Sequence, residues 1–336
     1  MAQFTVYSSG DVSGPGVMFG SAGDLIRVLN AVLVVGYSGK AAAGWTHPVA
    51  TVGNIASYKN ASPANSGNGF GVVINDNGPH VTSTFKEAWA TGWETVLGVG
   101  APVGTGTGQF PTPALLLTSG HVVVRKSATA DGTTPRSWVC YADSLTFYLF
   151  IQTGDGASYY SFFGFGDFFS LTGSSDQYRC HIQGRALENN ATGGASTGAG
   201  DLIGTQSNTT ANAVGSYAPR SWGGGGSCVA TSYIGAIGLT AGTTNSYINN
   251  VGTNTAPNGP DNAYYIPPIW INELSASALR GRFRGLYHSA HPLATFADGQ
   301  VISGAADYAG KTLQAVKRGI SGGMWFVETS NTLETN

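Results

Sequence analysis

The sequence contains very little charge. Lys, Arg, Asp and Glu together make up 10% of the 336 residues, whereas about a quarter is usual in soluble proteins. Intrinsic disorder does not explain this composition, because Trp, Tyr and Phe reach 11% and the formal net charge is only −2. Net charge normally keeps a free protein soluble and unassociated. So uncharged a sequence therefore favours a protein whose surface is covered by copies of itself or by partners.

Cysteines and long apolar runs are also scarce. The cysteines are Cys140, Cys180 and Cys228, an odd number without a CxxC pair. This pattern implies neither a disulfide framework nor a zinc knuckle, and it predicts buried free thiols. The longest apolar run, AVLVVG, is too short to span a bilayer. The first residues lack the basic and apolar regions of a secretory signal peptide, so we expect no membrane association.

The clearest helical pattern lies in residues 21–36, SAGDLIRVLNAVLVVG. Apolar residues recur there at helical spacing, Ser21 is a candidate N-cap, and Gly36 is expected to end the helix. The residues that follow turn the chain, and Trp45 is expected to be a packing anchor.

Most of the remaining sequence predicts strands separated by turn residues. Residues 81–99 are expected to form a short helical turn and then a strand, and 121–128 and 136–154 a hairpin followed by a third strand. Further strands are expected near residues 157–171, 178–187, 263–274 and 278–288, with a terminal hairpin around Arg318-Gly319. Consecutive short strands of this kind indicate a mainly antiparallel sheet.

We therefore predict an α+β fold that is mainly antiparallel β. A small N-terminal α/β part covers residues 1–97, a Gly/Thr/Pro-rich linker covers 98–113, and a β-rich domain covers 114–336. Residues 189–264 are almost free of charge and rich in Gly, Asn and Ser, so we expect an extended, arm-like segment that orders against a neighbouring subunit.

No set of residues typical of catalysis can be assembled. The GTGTGQF run lacks the strand–helix context of a nucleotide-binding loop. His288 and His291 form an HxxH pair, but a metal site needs a further ligand and Asp298 is the nearest carboxylate in sequence. We predict no enzyme activity, no cofactor and no metal.

Two binding surfaces remain as candidates. A host-surface glycan could stack on the aromatic stretch SYYSFFGFGDFF, with contacts from Tyr159, Tyr160 and Asp167, although aromatic residues in strands more often pack in the core.

The second candidate is the basic cluster. On a strand, Arg280, Arg282 and Arg284 would share one face, where they repel each other unless they are solvated or opposed by acids. Nucleic acid is disfavoured because the sequence is not basic overall. A plain solvated face is one alternative. We favour a subunit interface made by Arg280, Arg282, Arg284, Tyr287, His288, His291 and Trp222.

Several segments together resemble a family of virion structural proteins of tailed bacteriophages. They are AQFTVYSSGD, GYSGKAAAGWTHP, VRKSATADGTTPRSWVCYADSLTFYLFIQTGD, FFGFGDFFSL, YRCHIQGRALEN and ALRGRFRGLYHSAHPLATFADG with the following GKTLQAV. The resemblance spans most of the chain and weakens in residues 189–264. It provides no catalytic residues to carry over.

The resemblance implies a cofactor-free virion component, assembled in the bacterial cytoplasm and present in several copies. Its partners would be copies of itself and other virion proteins. A position in the tail or head–tail region is our first expectation. Capsid decoration and host-glycan binding are the alternatives.

Overall fold

The computed structural model describes residues 3–63, 67–77, 85–116, 119–128, 132–154, 160–186, 188, 214–234, 266–273, 278–289, 296–316 and 324–333. The structure is 47% strand and 8% helix, and it is mostly antiparallel β with a curled sheet. The prediction of a mainly antiparallel sheet is therefore confirmed. No helix among the described residues is long and apolar enough to cross a membrane.

The elements follow one another along the chain in the following order. They are β1 (Thr5–Ser8), α1 (Asp24–Leu29), a π-helical turn (Asn30–Val35), β2 (Ile55–Lys59), β3 (Gly71–Asn75), β4 (Lys86–Gly98), β5 (Thr105–Phe110), β6 (Val122–Ser127), β7 (Trp138–Ala142), β8 (Thr146–Gln152), β9 (Tyr160–Asp167), β10 (Phe169–Ser170), a 3-10 turn (Gly173–Ser175), β11 (Cys180–Arg185), β12 (Val214–Ala218), β13 (Cys228–Ile234), β14 (Pro268–Glu273), β15 (Ala278–Ser289), β16 (Val301–Ser303), a 3-10 turn (Ala306–Tyr308), β17 (Thr312–Val316) and β18 (Met324–Glu328).

The strands form two connected regions of sheet. In the first region, β1, β7, β8, β9 and β11 lie side by side, and β11 continues through β6 and β4 to β3 and β2. In the second region, β14 and β15 lie next to β18, β17 and β16. Two connections join the regions. β12 pairs with both β11 and β13, and the short β10, directly after β9, pairs with β15.

Strand β8 is buried on both faces, which explains its continuous apolar sequence, TFYLFIQ. Phe147, Leu149 and Ile151 belong to a first core, on the side of the helix. Tyr148 and Phe150 point to the opposite face and belong to a second core. The second core is completed by residues of the other sheet region, which are Ile269, Ile271, Phe283, Leu286, Val316, Trp325 and Val327.

The predicted helix is shorter than its apolar pattern. Helix α1 begins at Asp24 and passes into the π-helical turn at Asn30, and Gly36 ends it with φ of 76°. The prediction that Ser21 caps the helix is wrong. The N-cap position is occupied by Gly23, which has no side chain to cap the helix. Instead, the Asp76 carboxylate accepts a hydrogen bond from the Leu25 N–H at 2.7 Å.

Three local predictions need correction. The predicted helical turn is replaced from residue 86 by strand β4, while residues 81–84 lie outside the described part. Residues 105–110, expected in a linker, form β5 and pair with β4. Strand β6 does not form a hairpin with β7, because it pairs with β4 and β11, whereas β7 pairs with β8 and β1.

The predicted arm is described only in residues 214–234. Strands β12 and β13 lie there, and both pair with strands of their own chain. This described part of the predicted arm therefore does not need a neighbouring subunit to become ordered. The rest of residues 189–264 lies outside the described part. The terminal hairpin is confirmed by the β17–β18 pairing, although its turn at Arg318-Gly319 also lies outside. Cys140, Cys180 and Cys228 are free and buried, and Trp45 is buried, as predicted.

Candidate functional site

A β-bulge separates the arginines of β15. Ile271 of β14 faces Gly281 while Asn272 faces Leu279, so Arg280 is an extra residue without a counterpart. Arg280 contacts Glu273, and Arg282 contacts Trp270, which points to the opposite face of β14. The prediction that the arginines share one face is therefore wrong for this pair.

Arg280 is enclosed by acids. Its Nε and Nη2 donate to the two carboxylate oxygens of Asp176, each at 2.8 Å, and its Nη1 lies 3.5 Å from Glu273 Oε2. Burial alone would lower the pKa of Arg280, but Asp176 raises it overall. A bidentate guanidinium–carboxylate pair is among the strongest hydrogen-bonded arrangements in proteins. This side chain fastens β15 to the 3-10 turn that follows β10.

Arg284 forms the second internal ion pair. Its guanidinium donates to both oxygens of Asp143, at 2.7 and 3.1 Å, and to Thr146 Oγ1 at 3.1 Å. The same Asp143 carboxylate accepts hydrogen bonds from the backbone N–H groups of Leu145 and Thr146, at 2.9 Å each. Arg284 is 1% exposed. The pair therefore connects the β7–β8 turn of the first sheet region to β15 of the second.

Arg282 is the only one of the three that reaches the surface. It is partly exposed, and its guanidinium lies over the ring of Phe169 at 4.9 Å and the ring of Trp270 at 5.7 Å. These rings stand on the two strands that flank β15. Arg282 is thus held in a fixed position on the outer face by cation–π contacts.

The other predicted interface residues are mostly internal. The Tyr287 hydroxyl donates to Glu328 Oε2 at 2.8 Å, and the His288 ring packs against Trp325 with centroids 5.0 Å apart. Both side chains are at most 5% exposed, and so are Arg280 and Arg284. None of these four can form the outer surface of a subunit contact. Trp222 is 46% exposed and stays a candidate with Arg282, whereas His291 lies outside the described residues.

Asp167, one of the three predicted glycan contacts, is buried and cannot contact a glycan. Asp167 is 1% exposed, accepts a hydrogen bond from Asn60 Nδ2 at 2.7 Å, and lies 3.8 Å from Arg179 Nε. Burial raises the pKa of Asp167 to about 7, against the lowering effect of Arg179 and Arg284. Of the tyrosines, Tyr159 lies outside the described residues, and Tyr160 is placed only by its backbone in β9. Neighbouring Phe162, Phe163 and Phe165 are core residues.

Sequence reasoning missed the acids that complete the site. No motif in the sequence marks Asp143 or Asp176, yet each neutralises a buried arginine more than 100 positions away in sequence. The one available signal was the repulsion expected among closely spaced arginines, which required acids without saying which. Among the described residues, no group of three His, Cys, Asp or Glu side chains could hold a metal ion.

Comparison with known proteins gives no assignment. No family model matches the chain, and no curated protein matches it. The resemblance to virion proteins of tailed bacteriophages therefore stays a prediction.

Proposed function

We propose that this chain is a non-enzymatic structural component of a tailed-bacteriophage virion, in the tail or head–tail region, and that it acts through contacts between subunits. As part of the same proposal, residues 1–97 are a small α/β part of an α+β protein. The proposal rests on the sequence resemblance and on the distribution of charge in the fold.

The observation that carries the proposal is that many of the scarce charges lie inside. At least seven of the 16 Lys and Arg residues and at least eight of the 18 Asp and Glu residues are buried. They are Arg125, Lys126, Arg136, Arg179, Arg185, Arg280 and Arg284, with Asp24, Asp76, Glu87, Asp143, Asp167, Asp176, Glu273 and Glu328. A sequence with few charges therefore has even fewer on its exterior. Such an exterior gives weak protection against association, which suits a protein that functions in an assembly.

Exposed apolar side chains support the same proposal. Some large apolar side chains of the described part are at least a third exposed. They include Val12, Phe19, Val35, Val52, Leu97, Leu171, Trp222, Leu279 and Val301. Single exposed apolar residues are normal in monomers. Combined with so little surface charge, however, they favour an exterior that packs against neighbours. Stable interfaces of this kind bury more than about 1,000 Å² in total, and in a ring they must close head to tail.

The test is the state of the purified chain and its presence in particles. In sedimentation velocity we expect a closed oligomer that resists added salt, because an interface with so few charges is little affected by screening. In gradient-purified particles we expect a fixed stoichiometry relative to the major capsid protein. A chain that stays monomeric at all concentrations and is absent from particles would contradict the proposal.

Capsid decoration and host-glycan binding are the alternatives. A particle map that locates the chain on the capsid surface would favour decoration. Binding to a glycan array that is lost on replacement of Trp222 would favour a receptor-binding role, whereas no binding on the array would remove that alternative.

A further inference from the structure

Lys126 and Asp76 form a contact inside the first core. Both side chains are 0% exposed, and Lys126 Nζ donates a hydrogen bond to Asp76 Oδ1. Lys126 lies on the same face of β6 as the core residues Val122 and Val124. Asp76 directly follows β3, so the contact joins two strands that are not neighbours in the sheet.

Each side chain of the pair makes one further hydrogen bond, in both cases with the backbone. Lys126 Nζ also donates to the Ser21 carbonyl oxygen at 2.6 Å, and Asp76 Oδ2 accepts from the Leu25 N–H at 2.7 Å. The amine is therefore held at Oδ1 of the carboxyl group, while the backbone N–H of Leu25 in α1 holds Oδ2.

We propose that Lys126 and Asp76 condense within the folded chain to form an intramolecular isopeptide bond between Nζ and Cγ. One proton of the ammonium passes to Oδ1, which leaves a neutral amine beside a neutral carboxylic acid. The amine attacks Cγ, the C–Oδ1 bond breaks, and a second proton from Nζ leaves with Oδ1 as water. The third proton remains on the amide nitrogen. No oxidant, metal or co-reactant is needed.

Burial favours the neutral, reactive form of the Asp76 carboxyl group. Desolvation disfavours both charges of a buried ion pair. Burial raises the pKa of Asp76 to about 6, against the lowering effects of Lys126 and the Leu25 N–H, and the negative charge of Asp24 raises it further. The Leu25 N–H is placed on the oxygen that becomes negative during attack, as the donors of an oxyanion hole are. The hydrogen bond to Oδ1 also keeps Nζ beside the carboxyl group, and such proximity of the reacting groups favours the reaction.

The product would leave each remaining polar atom with its present partner. The amide N–H would donate to the Ser21 carbonyl oxygen, and the retained Oδ2 would accept from the Leu25 N–H. Only Oδ1, whose partner in the described structure is Lys126, is expelled. A buried ion pair would thus become a satisfied buried amide, which is the less costly group to bury.

The contact between Lys311 and Glu328 differs from that between Lys126 and Asp76 in the exposure of its lysine and in the ionisation of its carboxylate. Lys311 Nζ donates to Glu328 Oε2 at 2.7 Å, but the Lys311 side chain is 15% exposed. Burial would raise the pKa of Glu328, yet hydrogen bonds from Lys311, Thr332 and Tyr287 lower it below its usual range. Glu328 is held ionised, and an ionised carboxylate does not accept an amine. We therefore assign the bond to Lys126 and Asp76 rather than to Lys311 and Glu328.

The experiment is intact-mass spectrometry of the purified, denatured chain, followed by proteolytic mapping. We expect the wild-type mass to fall below the sequence mass by one water, and a branched peptide to contain both Asp76 and Lys126. In K126R, which keeps the positive charge but has no primary amine, the water should be retained. In K311R, the matched control, the mass deficit should persist.

Two results would overturn the assignment. One is a wild-type mass equal to that of the sequence. The other is a water deficit that persists in K126R without any branched peptide, since attack of the Asn77 backbone nitrogen on Asp76 would also release water. Both are read from the chain itself, whether or not it belongs to a virion, so failure of this inference and failure of the proposed function are distinguishable.

Discussion

Arg284 and Asp143 stand 141 residues apart in sequence and are joined by two hydrogen bonds, the shorter of 2.7 Å, inside the second core. The arginine belongs to β15 of one sheet region and the aspartate to the turn before β8 of the other. Each would be an uncompensated buried charge without its partner, so the pair fixes how the two regions meet.

Removal of that arginine should be severely destabilising. We expect Arg284→Ala to lower the free energy of unfolding by about 3–5 kcal/mol, because Asp143 would stay buried without a counter-charge. Denaturant unfolding followed by tryptophan fluorescence measures the change. Arg27→Ala is the control: Arg27 is 40% exposed and pairs with Asp24, so its loss should cost at most about 1 kcal/mol. Equal costs for the two variants would contradict the role of Arg284.

The buried Asp167 should make stability depend on pH. Its pKa rises from 3.8 to about 7 on folding, chiefly through burial. Between these values the folded chain binds more protons than the unfolded one, so this contribution to stability is largest at low pH and falls as pH rises towards 7. Buried His181, with its pKa lowered to about 3 by burial, acts in the opposite direction.

Asp167→Asn separates the contribution of Asp167 to the pH dependence from that of His181. The amide cannot titrate, so the decline in stability between about pH 5 and about pH 7.5 should be smaller in the variant than in the wild type. Urea unfolding at several pH values gives the comparison. Parallel curves for the two proteins would show that Asp167 does not titrate in this range.

Arg282 offers the sharpest test of the interface hypothesis. Arg282 is partly exposed, and its guanidinium lies over the rings of Phe169 and Trp270 on the outer face. Arg282→Glu should therefore weaken subunit association more than folding. Sedimentation velocity and thermal melting report the two effects separately. Arg280→Glu should instead prevent stable folding, since it places an acid against Asp176 and Glu273. Unchanged oligomers with a lowered melting temperature in Arg282→Glu would reverse the assignment.

Gly281 should tolerate no side chain. A Cβ added there would lie 2.2 Å from the Phe169 carbonyl oxygen, so β10 could no longer approach β15. We expect Gly281→Ala to cost about 1–3 kcal/mol of unfolding free energy. Gly100, where an added Cβ meets nothing within 4 Å, is the matched control, with a change within about 0.5 kcal/mol. Thermal or denaturant unfolding distinguishes the two; a similar small change in both would contradict the close approach.

The strands were easier to predict than their partners. In TFYLFIQ the central residues FYLFI point alternately into the two cores, and all of them are apolar or aromatic. Local sequence is enough to identify such a strand. Strand β6 has an equally clear pattern, but it was expected to pair with β7 and pairs with β4 and β11 instead. Backbone hydrogen bonding is the same for any partner, so the choice depends on how the whole sheet curls.

The arginine cluster illustrates the same limit at the level of a site. Its strand was predicted, and so was the need for opposing acids. The bulge that turns Arg280 inward could not be predicted, because it depends on the register between β14 and β15. Without that register, exposed and buried arginines of the RGRFR stretch look alike.

The sequence by itself determined a charge-poor, mainly antiparallel β protein with buried thiols, because composition and alternation act locally. Tertiary structure alone decided which charges became internal, since partners such as Lys126 and Asp76, or Arg284 and Asp143, meet only after distant strands have packed. The physical reason is that burying a charge is tolerable only beside its complement, and folding, rather than spacing along the chain, brings the two together.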